Sequence, residues 1–271
     1  FVVAIIFFTI VSLALQIFVS YSRYASYLKY LSFVLLLYVA TAFVIPGLDW
    51  GNIINQTLIP SLQFSKESIL LICAILGTTI SPYLFFWQTS MEVEDRHLAA
   101  QGHIRPSSAR LRHHDLTRRE VKKMRTDVWL GMFLSNAVMF FIIVTCAATL
   151  FPAGIEVNTA SDAARALLPI AGQQAYVLFA LGIIGTGMLA VPVLAGSAAY
   201  GLAEAFNWNS GLDRKLKSAY GFYGVIIIAM ILGLLMNFIG LDPIKALIYS
   251  AVLNGIIAPI VLFFVLRISS H

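Results

Sequence analysis

One apolar run carries side chains that a lipid interior does not favour. Between residues 68 and 88 the order Gly77-Thr78-Thr79-Ile80-Ser81-Pro82 places three hydroxyls and a proline near the middle of a helix-length stretch. Proline has no N–H, and its ring clashes with the carbonyl four residues earlier, here that of Thr78. Lipid has no donor for a freed carbonyl, so such a break must face protein, water or a ligand. With the hydroxyls of Thr78, Thr79 and Ser81 it would form a cluster of hard oxygen ligands, suited to magnesium, calcium or manganese. Transporters place their sites at such interrupted helices near the bilayer midplane. The other reading is a plain proline kink whose hydroxyls bond back to their own helix. Composition does not separate the two.

Further polar groups flank this run. Tyr83 and Gln88 follow the proline and would line a pathway, with Phe85, Phe86 and Trp87 as gate or lipid-facing bulk. Glu92 reads either as an ion or proton relay or as an interfacial carboxylate paired with basic neighbours. Asn254 sits inside the last apolar run, facing the site or bonding another helix. His97, His103, His113 and His114 fall in a segment rich in Lys and Arg, whose positive charge opposes cation binding. Cys73 and Cys146 read as small packing residues. No nucleophile–base set, His-Glu-x-x-His or phosphate-cradling glycine loop is present, so the chain is not expected to be an enzyme. No cofactor is implied beyond a transported ion, with protons as a candidate co-substrate.

The elements that would hold these residues follow from composition. Hydrophobic residues make up 59% and charged residues 11% of the chain, with mean hydropathy +0.86. Soluble domains carry about 25% charged residues, so the expected solvent is the lipid bilayer and the fold class is an all-α polytopic membrane protein. Seven runs approach the ~20 residues needed to cross a bilayer: 2–20, 28–46, 69–90, 128–151, 175–206, 220–239 and 244–266. Basic residues concentrate on cytoplasmic loops. Fifteen of the eighteen Lys and Arg fall on alternate loops: Arg23 and Lys29, nine within 93–126, Arg214, Lys215, Lys217 and Arg267. Only Lys66, Arg165 and Lys245 fall on the other side. The residue-1 end is therefore expected outside and the residue-271 end in the cytoplasm. The net charge of +5 reports topology rather than a nucleic-acid surface.

At 76–90, Leu-Gly-Thr-Thr-Ile-Ser-Pro-Tyr-Leu-Phe-Phe-Trp-Gln-Thr-Ser, followed by Glu92-Val-Glu94, the chain resembles the NRAMP family of proton-coupled divalent metal transporters, closest to its prokaryotic NRAMP-related branch. The segment 29–67 and the glycine-rich run 175–206 are similar too. The resemblance implies a LeuT-like fold of two inverted five-helix repeats, of which the seven helices here would be helices 4–10. Residues 1–46 would then close the first repeat, 47–67 form an external loop, and 68–268 form the second repeat with the basic cytoplasmic loop 93–126. It also implies that the chain is truncated at its N-terminus, since the Asp-Pro-Gly-Asn motif of the first helix is absent, so its missing N-terminal helices count as a partner. In the family, a backbone carbonyl and a methionine sulfur of the sixth helix hold the metal, and these positions correspond to Thr78 and Ser81. The hydroxyl of Ser81 in place of a thioether implies tolerance for magnesium beside manganese or iron. Tyr83 and Gln88 stand where the family has histidines, and the family's ninth-helix arginines are absent from 220–239. Proton coupling is expected to be weak or lacking. The implied location is a bacterial inner membrane.

Two other functions remain open on sequence. A LeuT-fold carrier of an organic solute such as an amino acid would use freed N–H groups of the broken helix. A non-transporting membrane scaffold would use the basic loop for partners.

Overall fold

The computed structural model describes residues 2–19, 27, 29–30, 33–61, 64–80, 82–100, 118–155, 157, 159–212, 214, 216–240 and 242–270. All regular structure among them is helical: α1 (Val2–Phe18), α2 (Leu36–Val44, entered by a 3-10 turn Phe33–Leu35), α3 (Trp50–Leu58), α4 (Lys66–Thr79), α5 (Pro82–Phe85), α6 (Trp87–Ala100), α7 (Arg118–Thr149), α8 (Ala160–Ala164), α9 (Leu168–Ala171), α10 (Ala175–Ala205), α11 (Tyr220–Met236) and α12 (Pro243–Ser269). Three stretches, Met124–Thr149, Gly172–Ala205 and Pro243–Ser269, have the length and apolarity to cross a membrane. Val3–Phe18, Phe33–Val44 and Tyr220–Met236 are shorter apolar helices. Each follows an expected span, and the remaining one, 69–90, is divided among α4, α5 and α6.

Helix starts follow local chemistry. Ser65 caps α4, its Oγ accepting from the Ser68 N–H at 3.2 Å. Asp242 caps α12, its Oδ1 accepting from Ile244 N–H at 2.9 Å, with Pro243 at the first position, where no N–H is needed. Both caps satisfy donors that a helix end would otherwise leave orphaned.

Chain contacts divide the molecule into two compact units. In the unit made of residues 27–48 and 91–187, the core gathers Tyr38, Leu150, Ala164, Ala166, Leu167, Ala175 and Phe179. Tyr38 packs edge-on against Phe179, with ring centroids 6.3 Å apart. Thr145 of α7 donates to the Tyr38 carbonyl at 2.9 Å, tying α7 to α2. Residues 160–171 form α8, a 3-10 turn whose Ala166 and Leu167 are fully buried, and α9. Within the basic segment 93–126, α6 extends to Ala100 and α7 begins at Arg118.

The other unit comprises residues 1–26, 49–90 and 188–271. Here α1 packs on α11, where the buried Gln16 amide points its Nε2 at the Met230 sulfur, 4.0 Å away. Helices α4 and α12 meet backbone to backbone. A Cβ at Gly77 would stand 1.7 Å from the Ala251 carbonyl oxygen, and one at Gly255 would stand 2.1 Å from the Cys73 oxygen. Glycines at such contacts let helix axes approach closely. Gly77 meets both Ala251 and Gly255, and Gly255 meets Cys73, so about one turn of each helix forms the contact.

Candidate cation site

The interruption is set residue by residue. Helix α4 stops where the Ile80 N–H reaches the Leu76 carbonyl at 2.9 Å, and Ile80 then leaves helical geometry with φ −96° and ψ 75°. The chain resumes at Pro82, makes the single turn α5, passes Phe86 and continues as α6. Pro82 therefore stands at a helix start, where its missing N–H costs no hydrogen bond of its own, and it has none to give the Thr78 carbonyl. Proline alone does not divide a helix here, because Pro192 and Pro259 lie inside α10 and α12. Pro82 differs in following two threonines whose hydroxyls both turn back. Thr78 Oγ1 donates to the Ile75 carbonyl at 2.8 Å, and Thr79 Oγ1 donates to the same oxygen at 3.0 Å.

Back-bonding is thus what these two hydroxyls do, as the kink reading expects. It does not remove them as ligands. A hydroxyl has one proton and two lone pairs, and a proton committed to Ile75 leaves the oxygen an acceptor. Thr78 is exposed and Thr79 half-buried. Tyr83, on α5, and Gln88, in the first turn of α6, are half-buried. Asn254 precedes Gly255 on α12, the residue that meets Cys73 and Gly77 of α4. The side chains of Gln88 and Asn254 make no hydrogen bond among the described residues. Ser81 lies outside the described residues, as do the side chains of Pro82, Glu92 and His97 and the whole of His103, His113 and His114. Among the described residues no three His, Cys, Asp or Glu side chains form a metal-holding group.

The sequence reading missed how the far side of the break is held. Trp87, read there as gate or lipid-facing bulk, is buried at 7% exposure. It lies on Gly196 of α10, where a Cβ would stand 2.0 Å from Trp87 Cζ3. Its ring meets Tyr200 edge-on at 5.9 Å, and Tyr200 meets Phe222 of α11 at 4.7 Å. One turn on, Ser90 Oγ donates to Glu204 Oε1 at 2.9 Å. A glycine spaced to receive an aromatic ring has no distinct signature in a single sequence.

The family model described as natural resistance-associated macrophage protein-like, Nramp, matches residues 1–271. The chain belongs to the Nramp family. It is 25% identical over 212 residues to the divalent metal cation transporter MntH of Clostridium acetobutylicum, covering 78% of this chain and 43% of that protein. The MntH of Acidiphilium cryptum is 24% identical over 238 residues, 87% of this chain and 49% of that protein. The MntH of Mycobacterium tuberculosis is 27% identical over 202 residues, 74% and 41% respectively. The Nramp chain thus spans less than half the length of these relatives. Family and apolar helices together make it an integral membrane protein.

Proposed function

We propose that this Nramp chain is part of a secondary transporter that moves divalent metal cations, with a cation seated at the interruption between Thr78 and Pro82. The observation that supports this most is the interruption itself, since α4 ends at Thr79 and α5 starts at Pro82 within one apolar run. The ligands on this chain are the Thr78 carbonyl and the Ser81 hydroxyl. Thr79, Pro82, Tyr83, Gln88 and Asn254 border the pathway, and Glu92 relays an ion beyond it. The relatives bear the name divalent metal cation transporter, which favours a metal over an organic solute. Hard oxygen ligands favour manganese and magnesium over softer ions. Tyr83 and Gln88 do not titrate near neutrality, so coupling to protons is weak.

Uptake by the full-length protein in proteoliposomes tests this reading. Magnesium is expected to compete with manganese, and Ser81→Met to shift the preference toward manganese and iron. Manganese uptake indifferent to magnesium and to changes at both Ser81 and Pro82 would remove it. The charge pattern favours the residue-271 end in the cytoplasm, with α4 and α12 both running inward from the outside. Membrane-impermeant labelling of single cysteines at Lys66 and Arg267 tests this arrangement. Labelling from opposite sides is expected, and labelling from one shared side would overturn it.

A further inference from the structure

The stretch 47–67 was read from sequence as a loop, yet it holds helix α3. Asp49 starts it, its Oδ1 accepting from the Asn52 N–H at 3.0 Å. At 100° per residue, Trp50, Ile53, Ile54, Thr57 and Leu58 fall on one side, and Asn52, Asn55 and Gln56 on the other. The polar side is internally bonded, with Gln56 Nε2 donating to Asn52 Oδ1 at 3.3 Å. Thr57 turns its hydroxyl onto the Ile53 carbonyl at 2.7 Å, so its methyl completes the apolar side. That side is largely uncovered within the chain: Ile54 is 54% exposed, Leu58 76% and the following Ile59 75%.

We infer that α3 lies in the membrane interface, with Ile54 and Leu58 in the acyl boundary and Asn52 and Asn55 toward water. Amphipathic helices with a tryptophan bind this way. Continuity with the lipid-facing surface decides the occupant. Seven residues separate Leu58 from Lys66, a reach of at most about 25 Å. Helix α4 then presents Ile69, Leu70, Leu71 and Ile72 outward, and it packs along the span-length α12. Lys66 and Glu67 mark the level where α4 leaves the apolar slab. No charged residue occurs within Trp50–Leu58, so α3 suits a zwitterionic surface without requiring anionic lipid. The inference rests on membrane insertion alone and stands or falls apart from the cation site.

Electron paramagnetic resonance depth measurement tests it. In full-length protein carrying Cys73→Ala and Cys146→Ala, spin labels go singly at Asn52, Ile54, Asn55 and Leu58, in phosphatidylcholine vesicles. Labels at Ile54 and Leu58 are expected to show an oxygen-to-nickel-chelate accessibility ratio several-fold above that at Asn52 and Asn55. Equal chelate access at all four sites, meaning a helix free in water, would overturn the inference. So would low access to both reagents at Ile54 and Leu58, meaning that protein or a second copy covers that side.

Discussion

The hydroxyls of Thr78 and Thr79 share one acceptor, the Ile75 carbonyl, and a valine at either position keeps the shape while losing the oxygen. Thr78→Val leaves the Thr78 backbone carbonyl in place, so manganese uptake is expected to fall only a few-fold, whereas Ser81→Ala with Thr78→Val falls further. Radiometal uptake in vesicles reads both. Tyr83→His together with Gln88→His places imidazoles, with a reference pKa of about 6.5, beside the break. Uptake by that variant should become pH-dependent between about pH 5.5 and 7.5, while the parent stays flat. At this scale the sequence was informative: Pro82 and the threonines were singled out by bond chemistry alone, and the interruption falls there. Back-bonding of these hydroxyls was one of two readings open on sequence, and their sharing of Ile75 was not legible, because a threonine in a helix can take either of two rotamers.

Among helices, contacts through glycine dominate the unit holding the break. Gly77→Ala puts a methyl 1.7 Å from a backbone oxygen that cannot move aside cheaply. Its cost should reach or exceed the ~1–3 kcal/mol of ordinary overpacking, seen as a lower midpoint in thermal unfolding in detergent. Gly196→Ala meets a side chain instead, Trp87. Adding Trp87→Phe to it should recover part of the lost stability, a coupling that a double-mutant cycle measures. In the other unit, Thr145→Val removes the bond to the Tyr38 carbonyl and should cost about 0.5–1.5 kcal/mol. Helix positions were readable from apolar runs: the runs 175–206 and 244–266 anticipate α10 and α12 closely. Helix partners were not. A glycine that receives Cys73 and one that receives a tryptophan look alike in a single chain.

For the whole molecule, membrane residence was legible from composition, because a chain with 11% charged residues lacks the polar surface to face water. Carbonate extraction should leave the protein in the membrane pellet. The folded content of the stretches 50–58 and 160–171 escaped a reading based on hydropathy, since both are short and of mixed polarity. Their helices are specified by caps instead: Asp49 for α3, and the reciprocal pairing of Thr159 with Asp162 for α8.

The meeting of Gly77 with Ala251 and of Gly255 with Cys73 also bears on inheritance. Every single-base missense change of a glycine codon encodes a residue with at least one more carbon, and at these two codons that carbon would land on main chain. Neither position has a mild neighbour in the genetic code, so a saturation scan should find both depleted across all replacements, alanine included. Drift at either site would have to wait for a compensating shift in the opposite helix.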